Sequence, residues 1–169
     1  MISEKRSINM YRRVYSAPGL VTAMRIFDAL SVFFVAGVFV YGIAVLLYSG
    51  TYLYALKLSI MAAVPFVILS VLRVLINSQR PYEVFDIPEF SELREKRKSG
   101  RSFPSRHVFS AFLIGVLWIP YALPFGIAAI LLGILMAAER VARGIHFVKD
   151  VLVGAVIGIL SGVIGMLIL

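Results

Sequence analysis

Residues 151–169, VLVGAVIGILSGVIGMLIL, carry no charged side chain and come close to the ~20 residues with which an α-helix crosses the hydrocarbon core of a bilayer. Gly154, Gly158, Gly162 and Gly165 recur along the stretch at the spacing that brings one helix face against a neighbouring backbone. Working outward, the runs 26–48, 54–76, 108–123 and 125–142 read in the same way. The expected architecture is an all-α, polytopic transmembrane bundle of about five spans in a single integral-membrane domain over 1–169. The runs 108–123 and 125–142 are short and meet at the tight turn Ile119-Pro120-Tyr121-Ala122-Leu123-Pro124. They read either as two tilted spans or as a membrane-inserted hairpin.

Composition agrees with this reading. The 169 residues are 60% hydrophobic with a mean hydropathy of +0.93, against roughly 45–50% apolar residues in soluble domains. Residues 1–25 are basic and lack the apolar core and small-residue cleavage site of a secretory signal. Within them Tyr11, Val14, Leu20 and Val21 mix with Arg12 and Arg13, the pattern of an interfacial helix broken near Pro18-Gly19, or else of a flexible leader. The chain has no cysteine, which excludes disulfides, thiol catalysis and thiolate metal sites.

The formal charge is +8, and its distribution points to head groups. With five spans, residues 1–25, 77–107 and 143–150 share one side of the membrane, and of the 17 Lys and Arg residues only Lys57 falls near the other. A nucleic-acid binder would carry such charge on a soluble module with stacking aromatics, and no such module exists here. The run Arg94-Glu95-Lys96-Arg97-Lys98 reads as a solvated loop or a contact to anionic lipid.

Against this apolar background stand three motifs: Arg73-x6-Arg80-Pro81, Pro104-Ser105-Arg106-His107 and Arg140-x5-His146-x3-Asp150. Charged groups gathered at helix ends in a membrane chain indicate a site, and arginines indicate an anion. His146 and Asp150 lie four positions apart, so the carboxylate can orient one ring nitrogen and leave the other to attack phosphorus. His107 follows Ser105 where a helix begins; there backbone N–H groups and the Ser105 hydroxyl meet phosphate oxygens, and His107 serves as general acid. Arg73, Arg80 and Arg140 clamp the phosphoryl group and stabilise its transition state.

These motifs resemble those of the type 2 phosphatidic acid phosphatase family, membrane lipid phosphate phosphatases related to bacterial acid phosphatases and vanadium haloperoxidases. That family carries K-x6-R-P, P-S-G-H and S-R-x5-H-x3-D in this order, and the match covers 73–150 with looser similarity through the last helix. The resemblance implies a phosphohistidine on His146, oriented by Asp150, with His107 protonating the leaving group. It also implies phosphate binding by Arg73, Arg80, Ser105 and Arg140, without metal or other cofactor. Three positions depart from the pattern. Arg73 replaces a lysine and retains its charge. Arg106 replaces a glycine and adds a cation that either touches a second phosphate, which makes it a candidate for substrate selectivity, or points toward solvent. Glu139 replaces a serine and stands one helical turn before Arg143, a spacing suited to an ion pair. The first of the six spans common among membrane members has no counterpart.

The expected activity is hydrolysis of a phosphomonoester, or of the terminal phosphate of a diphosphate, on a polyprenyl or glycerolipid whose tails enter between helices. The partners expected are the bilayer and the phosphorylated lipid, with no nucleic acid. Three other readings remain open: a metal-dependent hydrolase using His107, His146 and Asp150, a vanadate-dependent haloperoxidase-like site, and a non-catalytic phospholipid-binding or scaffold protein. Orientation is contested. The concentration of basic residues puts the motif-bearing side in the cytoplasm, whereas the resemblance puts it on the outer face of a bacterial cell membrane.

Overall fold

The computed structural model describes residues 2–96 and 99–168. Among them there is no strand. The chain runs through α1 (Ile2–Tyr15), α2 (Pro18–Tyr48), α3 (Tyr52–Ile76), α4 (Pro81–Val84), a 3-10 turn at Pro88–Phe90, α5 (Ser91–Lys96), α6 (Arg106–Trp118), α7 (Leu123–Ala142) and α8 (Val148–Ile168). The architecture is an all-α membrane bundle. Four helices, α2, α3, α7 and α8, are long and apolar enough to cross a bilayer. Their outward faces carry exposed apolar side chains such as Phe33, Leu75, Leu131 and Leu152, as lipid-facing surfaces require.

The third expected span behaves differently from the others. Helix α6 has 13 residues, a rise of about 20 Å against a hydrocarbon core of about 30 Å. From Val108 to Trp118 every side chain except Ser110 is buried, because α2, α3, α7 and α8 all pack against it. A helix that is apolar all round is a core helix. Enclosed by protein, α6 has no need to match the lipid thickness. The tight turn after it ends the helix, and α7 restarts at Leu123 with Pro124 in its first turn, where a missing N–H costs nothing.

The glycine stripe of α8 sets how closely α6 and α8 approach. A Cβ at Gly154 would lie 2.6 Å from the Ser105 carbonyl oxygen, one at Gly158 would lie 2.5 Å from that of Phe109, and one at Gly162 would lie 2.7 Å from Val116 Cβ. Such a seam gains dispersion energy through backbone contact where lipid removes the hydrophobic advantage of large side chains.

On the side bearing the motifs, residues 2–25 form α1 and the start of α2, with the break at Ser16-Ala17 and Pro18 opening α2. Aromatic contacts tie α1 to the segment between α3 and α6. Tyr11 meets Phe85 and Phe90 in tilted ring contacts, Tyr15 meets Phe90 edge-on, and the Tyr15 hydroxyl donates to the Arg143 carbonyl at 3.2 Å. Burial pushes the Tyr11 phenol up to about 12. In the basic run, Arg94 and Lys96 lie on α5, where Arg94 pairs with Asp86 at 2.7 Å and Lys96 with Glu92 at 2.9 Å; Arg97 and Lys98 lie outside the described residues. Lys57 sits at the opposite end, donating to the Ile168 carbonyl at 3.4 Å.

Candidate active site

The three motifs, spread over nearly eighty positions of sequence, converge at one end of the bundle. Helix α3 delivers Arg73 from its last turn, α4 begins directly after Arg80, α6 begins after Ser105, α7 carries Arg140 in its last turn, and Asp150 lies in the first turn of α8. Gly144 (φ 68°) lets the chain turn between α7 and α8 while its backbone closes on the Phe90 ring, a conformation that favours glycine. His146 stands in that connection.

His146 and Asp150 are both buried. The His146 Nδ1 atom lies 3.5 Å from Asp150 Oδ2, and Ser102 sits between them. Its hydroxyl donates to Asp150 Oδ2 at 2.5 Å and lies 3.3 Å from His146 Nδ1. The same carboxylate oxygen accepts the Phe147 N–H at 3.0 Å, and the Asp150 carbonyl accepts the Ser105 N–H at 2.9 Å. With Nδ1 turned to Ser102 and Asp150, Nε2 is the nitrogen available for chemistry. Burial, reinforced by Arg80 and Arg140 and opposed by Asp150, pushes the His146 imidazole down to about 4. It is therefore neutral near pH 7, as a nucleophile must be.

His107 lies in the first turn of α6, half-buried, within the electrostatic reach of Arg140, His146, Arg106 and Arg73. Ser105 is fully buried, and its hydroxyl has no hydrogen-bond partner among the described residues. Arg106 is exposed, with its guanidinium over the Phe66 ring at 5.9 Å.

The motif arginines are engaged with backbone and carboxylate partners. Arg73 is buried and donates to the carbonyls of Arg101, Ser102 and Pro104. Arg80 donates to Gly100 (3.0 Å), Arg101 (3.4 Å) and Ile145 (3.2 Å). Each fork thus holds the loop 100–105, and Arg80 also tethers the segment carrying His146. Burial lowers the Arg80 guanidinium from its ordinary value, yet an arginine stays charged in a protein. Arg140 Nη2 meets Asp28 Oδ1 of α2 at 2.6 Å, while Arg140 Nε is buried without a partner among the described residues. Glu139 pairs with Arg143, both buried, as their spacing suggests.

Three further residues belong to this arrangement. Ser102 bridges the His146–Asp150 pair, Asp28 pairs with Arg140, and Glu83 braces the loop. The Glu83 carboxylate accepts the Arg80 N–H at 2.7 Å, the Gly100 N–H at 2.9 Å and the Ser99 hydroxyl at 2.5 Å. Partial burial raises the Glu83 carboxyl, but these hydrogen bonds outweigh it and hold the group below its ordinary range. Asp28 carries a sequence signal, a lone carboxylate inside the run 26–48 that needs a partner. Ser102 carries none beyond standing beside a motif. Among the described residues no group of three or more His, Cys, Asp or Glu side chains is placed to hold a metal ion.

An apolar cavity of about 580 Å³ runs between α2, α3 and α6 and includes Arg106 and His107 in its wall. The charged cluster and a greasy cleft are therefore contiguous.

The fold has solved counterparts. The crystal structure of Aquifex aeolicus LpxE is similar with a TM-score of 0.66 at 25% identity, covering 94% of this chain and 93% of that one. The transmembrane PAP2-type phosphatidylglycerolphosphate phosphatase of Bacillus subtilis is similar with a TM-score of 0.70 at 21% identity, covering 97% of this chain and 84% of that one. No curated protein matches the sequence. Residues 51–169, which hold all three motifs, match the PAP2 superfamily. On its motifs, its helical membrane fold and this match, the chain belongs to the PAP2 superfamily.

Proposed function

We propose that this protein hydrolyses the phosphomonoester, or the terminal phosphate of a diphosphate, of a membrane lipid through a phosphohistidine intermediate. The observation that carries the reading is the apolar cavity that opens onto His107 and Arg106 beside the His146 centre. A lipid tail lying between α2 and α3 would leave its phosphate among Arg80, Arg140 and Ser105. Substrates of this kind include polyprenyl diphosphates, phosphatidic acid and phosphatidylglycerol phosphate. The last is what the Bacillus subtilis relative is named for.

In the first step His146 Nε2 attacks phosphorus, the P–O bond to the lipid breaks, and His107, which takes up a proton when the bound phosphate offsets the surrounding arginines, gives that proton to the departing oxygen. In the second, His107 takes a proton from water, which attacks the phosphohistidine, releases inorganic phosphate and frees the imidazole. Asp150, held by Ser102 and the Phe147 amide, orients His146 and stabilises the charge it gains. Arg80 and Arg140 bind the equatorial oxygens. Arg73 adds charge and holds the loop bearing Ser105. Arg106, at the cavity wall, favours head groups with a second negative charge. The chemistry runs on arginine in place of a metal.

The decisive experiment is phosphate release from a panel of lipid phosphates by the purified protein in detergent. Turnover should persist in a chelator, and His146→Ala should abolish it. Near-normal turnover by a folded His146→Ala protein refutes the mechanism, and chelator inactivation reversed by one divalent ion favours a metal site. The site is proposed to face outward from a bacterial cell membrane. Because the chain has no native cysteine, Ser99→Cys should react with an impermeant reagent in intact cells and Ser49→Cys should not; the reverse pattern places the site inside.

A further inference from the structure

Asp28 is an acid in the first long span. Its carboxylate meets Arg140 at 2.6 Å, with 17% and 5% of the two side chains exposed. A carboxylate at that depth is costly unless it is matched, and its match is one of the proposed phosphate-binding groups. Arg73, Arg80, Arg106 and Arg140 all act electrostatically at this end of the bundle. Of the other nearby acids, Asp150 is engaged by Ser102 and Phe147 and Glu139 by Arg143. Asp28 alone among these three forms an ion pair with a clamp arginine. It does so through one nitrogen, and the buried Arg140 Nε is left without an acceptor among the described residues.

We propose that Asp28 is a positioning residue of the phosphate clamp: it fixes the Arg140 fork from the α2 side and offsets part of its charge, so that phosphate is bound but still released. The inference rests on the phosphate-site reading above. A phosphate dianion and the Asp28 carboxylate draw on the same guanidinium charge. Removing the carboxylate charge therefore strengthens anion binding, while the freed fork no longer sits in line with His146 and product leaves slowly. A merely structural ion pair gives the opposite pattern, with lower thermal stability and unchanged or weaker phosphate binding. Asp28 also lies on the helix that supplies Val32, Val35 and Phe39 to the cavity wall, so one element positions both tail and clamp.

The test uses the full chain purified in detergent, with inorganic phosphate affinity measured by calorimetry and kcat on a lipid phosphate. Asp28→Asn should bind phosphate about tenfold more tightly, the scale on which one neighbouring charge alters ion binding in a partly buried site, and kcat should fall. Asp28→Glu keeps the charge but moves it by one methylene, so affinity should stay near wild type while kcat falls. Arg140→Gln should cancel the effect, with the double variant binding phosphate like Arg140→Gln alone. Wild-type protein that fails to bind phosphate overturns the phosphate-site reading and the proposal with it. Wild-type binding with unchanged or weaker affinity in Asp28→Asn overturns the role of Asp28 alone. If Asp28→Asn does not fold, weakened phosphate binding or an unchanged kcat in Asp28→Glu overturns it equally.

Discussion

Replacing Gly154 by alanine should impair catalysis far more than stability. The new Cβ would stand 2.6 Å from the Ser105 carbonyl oxygen, whereas ordinary contact begins at 3.4 Å, so α8 and the start of α6 must separate by about 0.8 Å. Overpacking of this kind costs about 1–3 kcal/mol, and alanine returns up to about 1 kcal/mol of helix propensity. The net loss is about 0–3 kcal/mol, small beside the stability of about 5–15 kcal/mol usual for a folded protein. The separation acts where α6 and α8 are joined by the Ser105 N–H bond to the Asp150 carbonyl, now 2.9 Å; stretched by the same amount, it passes out of hydrogen-bond range. Asp150 and Ser105 then shift relative to each other, and a misplacement near 1 Å lowers turnover about a hundredfold. Gly158→Ala is the control. Its Cβ would meet the Phe109 carbonyl at 2.5 Å, an equal insult one turn deeper, and turnover should stay within about tenfold because no site residue is moved directly. Both variants would be measured by thermal unfolding in detergent and by phosphate release from a lipid phosphate. A Gly154→Ala protein with unimpaired turnover, or a Gly158→Ala protein equally impaired, refutes the coupling of this seam to the site.

Three further outcomes are expected. The His146 imidazole has a folded-state value of about 4 against about 6.5 unfolded. The unfolded chain therefore takes up the proton first, and stability is constant above about pH 6.5, falls as pH drops toward 4 and levels off below. The loss is on the order of 3 kcal/mol, and it should be absent from the pH–stability curve of His146→Gln. Glu139→Gln leaves the fully buried Arg143 without its counter-charge, which should cost about 3–5 kcal/mol in denaturation measurements, whereas Glu139→Leu with Arg143→Met should recover much of it. Arg106→Gly should reduce kcat/KM on a lipid diphosphate by about 1–3 kcal/mol more than on a monophosphate, the range for a lost charge-assisted hydrogen bond; equal losses remove Arg106 from substrate selection.

Local chemistry alone determined the helical membrane class and singled out the candidate site residues that the fold gathers at one end of the bundle. Uninterrupted apolar runs have few ways to satisfy their backbone in lipid, and the spacing His146-x3-Asp150 places two side chains together through a single turn of chain. The Glu139–Arg143 pair was legible for the same reason. The tertiary structure decided the rest, because distant segments meet only when the bundle closes. The run 108–123 reads as an apolar helix from sequence, but that α6 is short and enclosed by protein depends on the neighbours packed around it. Arg73 and Arg80 read as phosphate ligands, and the fold also makes them braces for the carbonyls of 100–105. Ser102 joins His146 to Asp150 across more than forty positions, and Asp28 reaches Arg140 across more than a hundred. No periodicity encodes such contacts; they exist because the closed bundle, with α6 drawn close to α8 along the glycine seam, brings segments distant in sequence to one end.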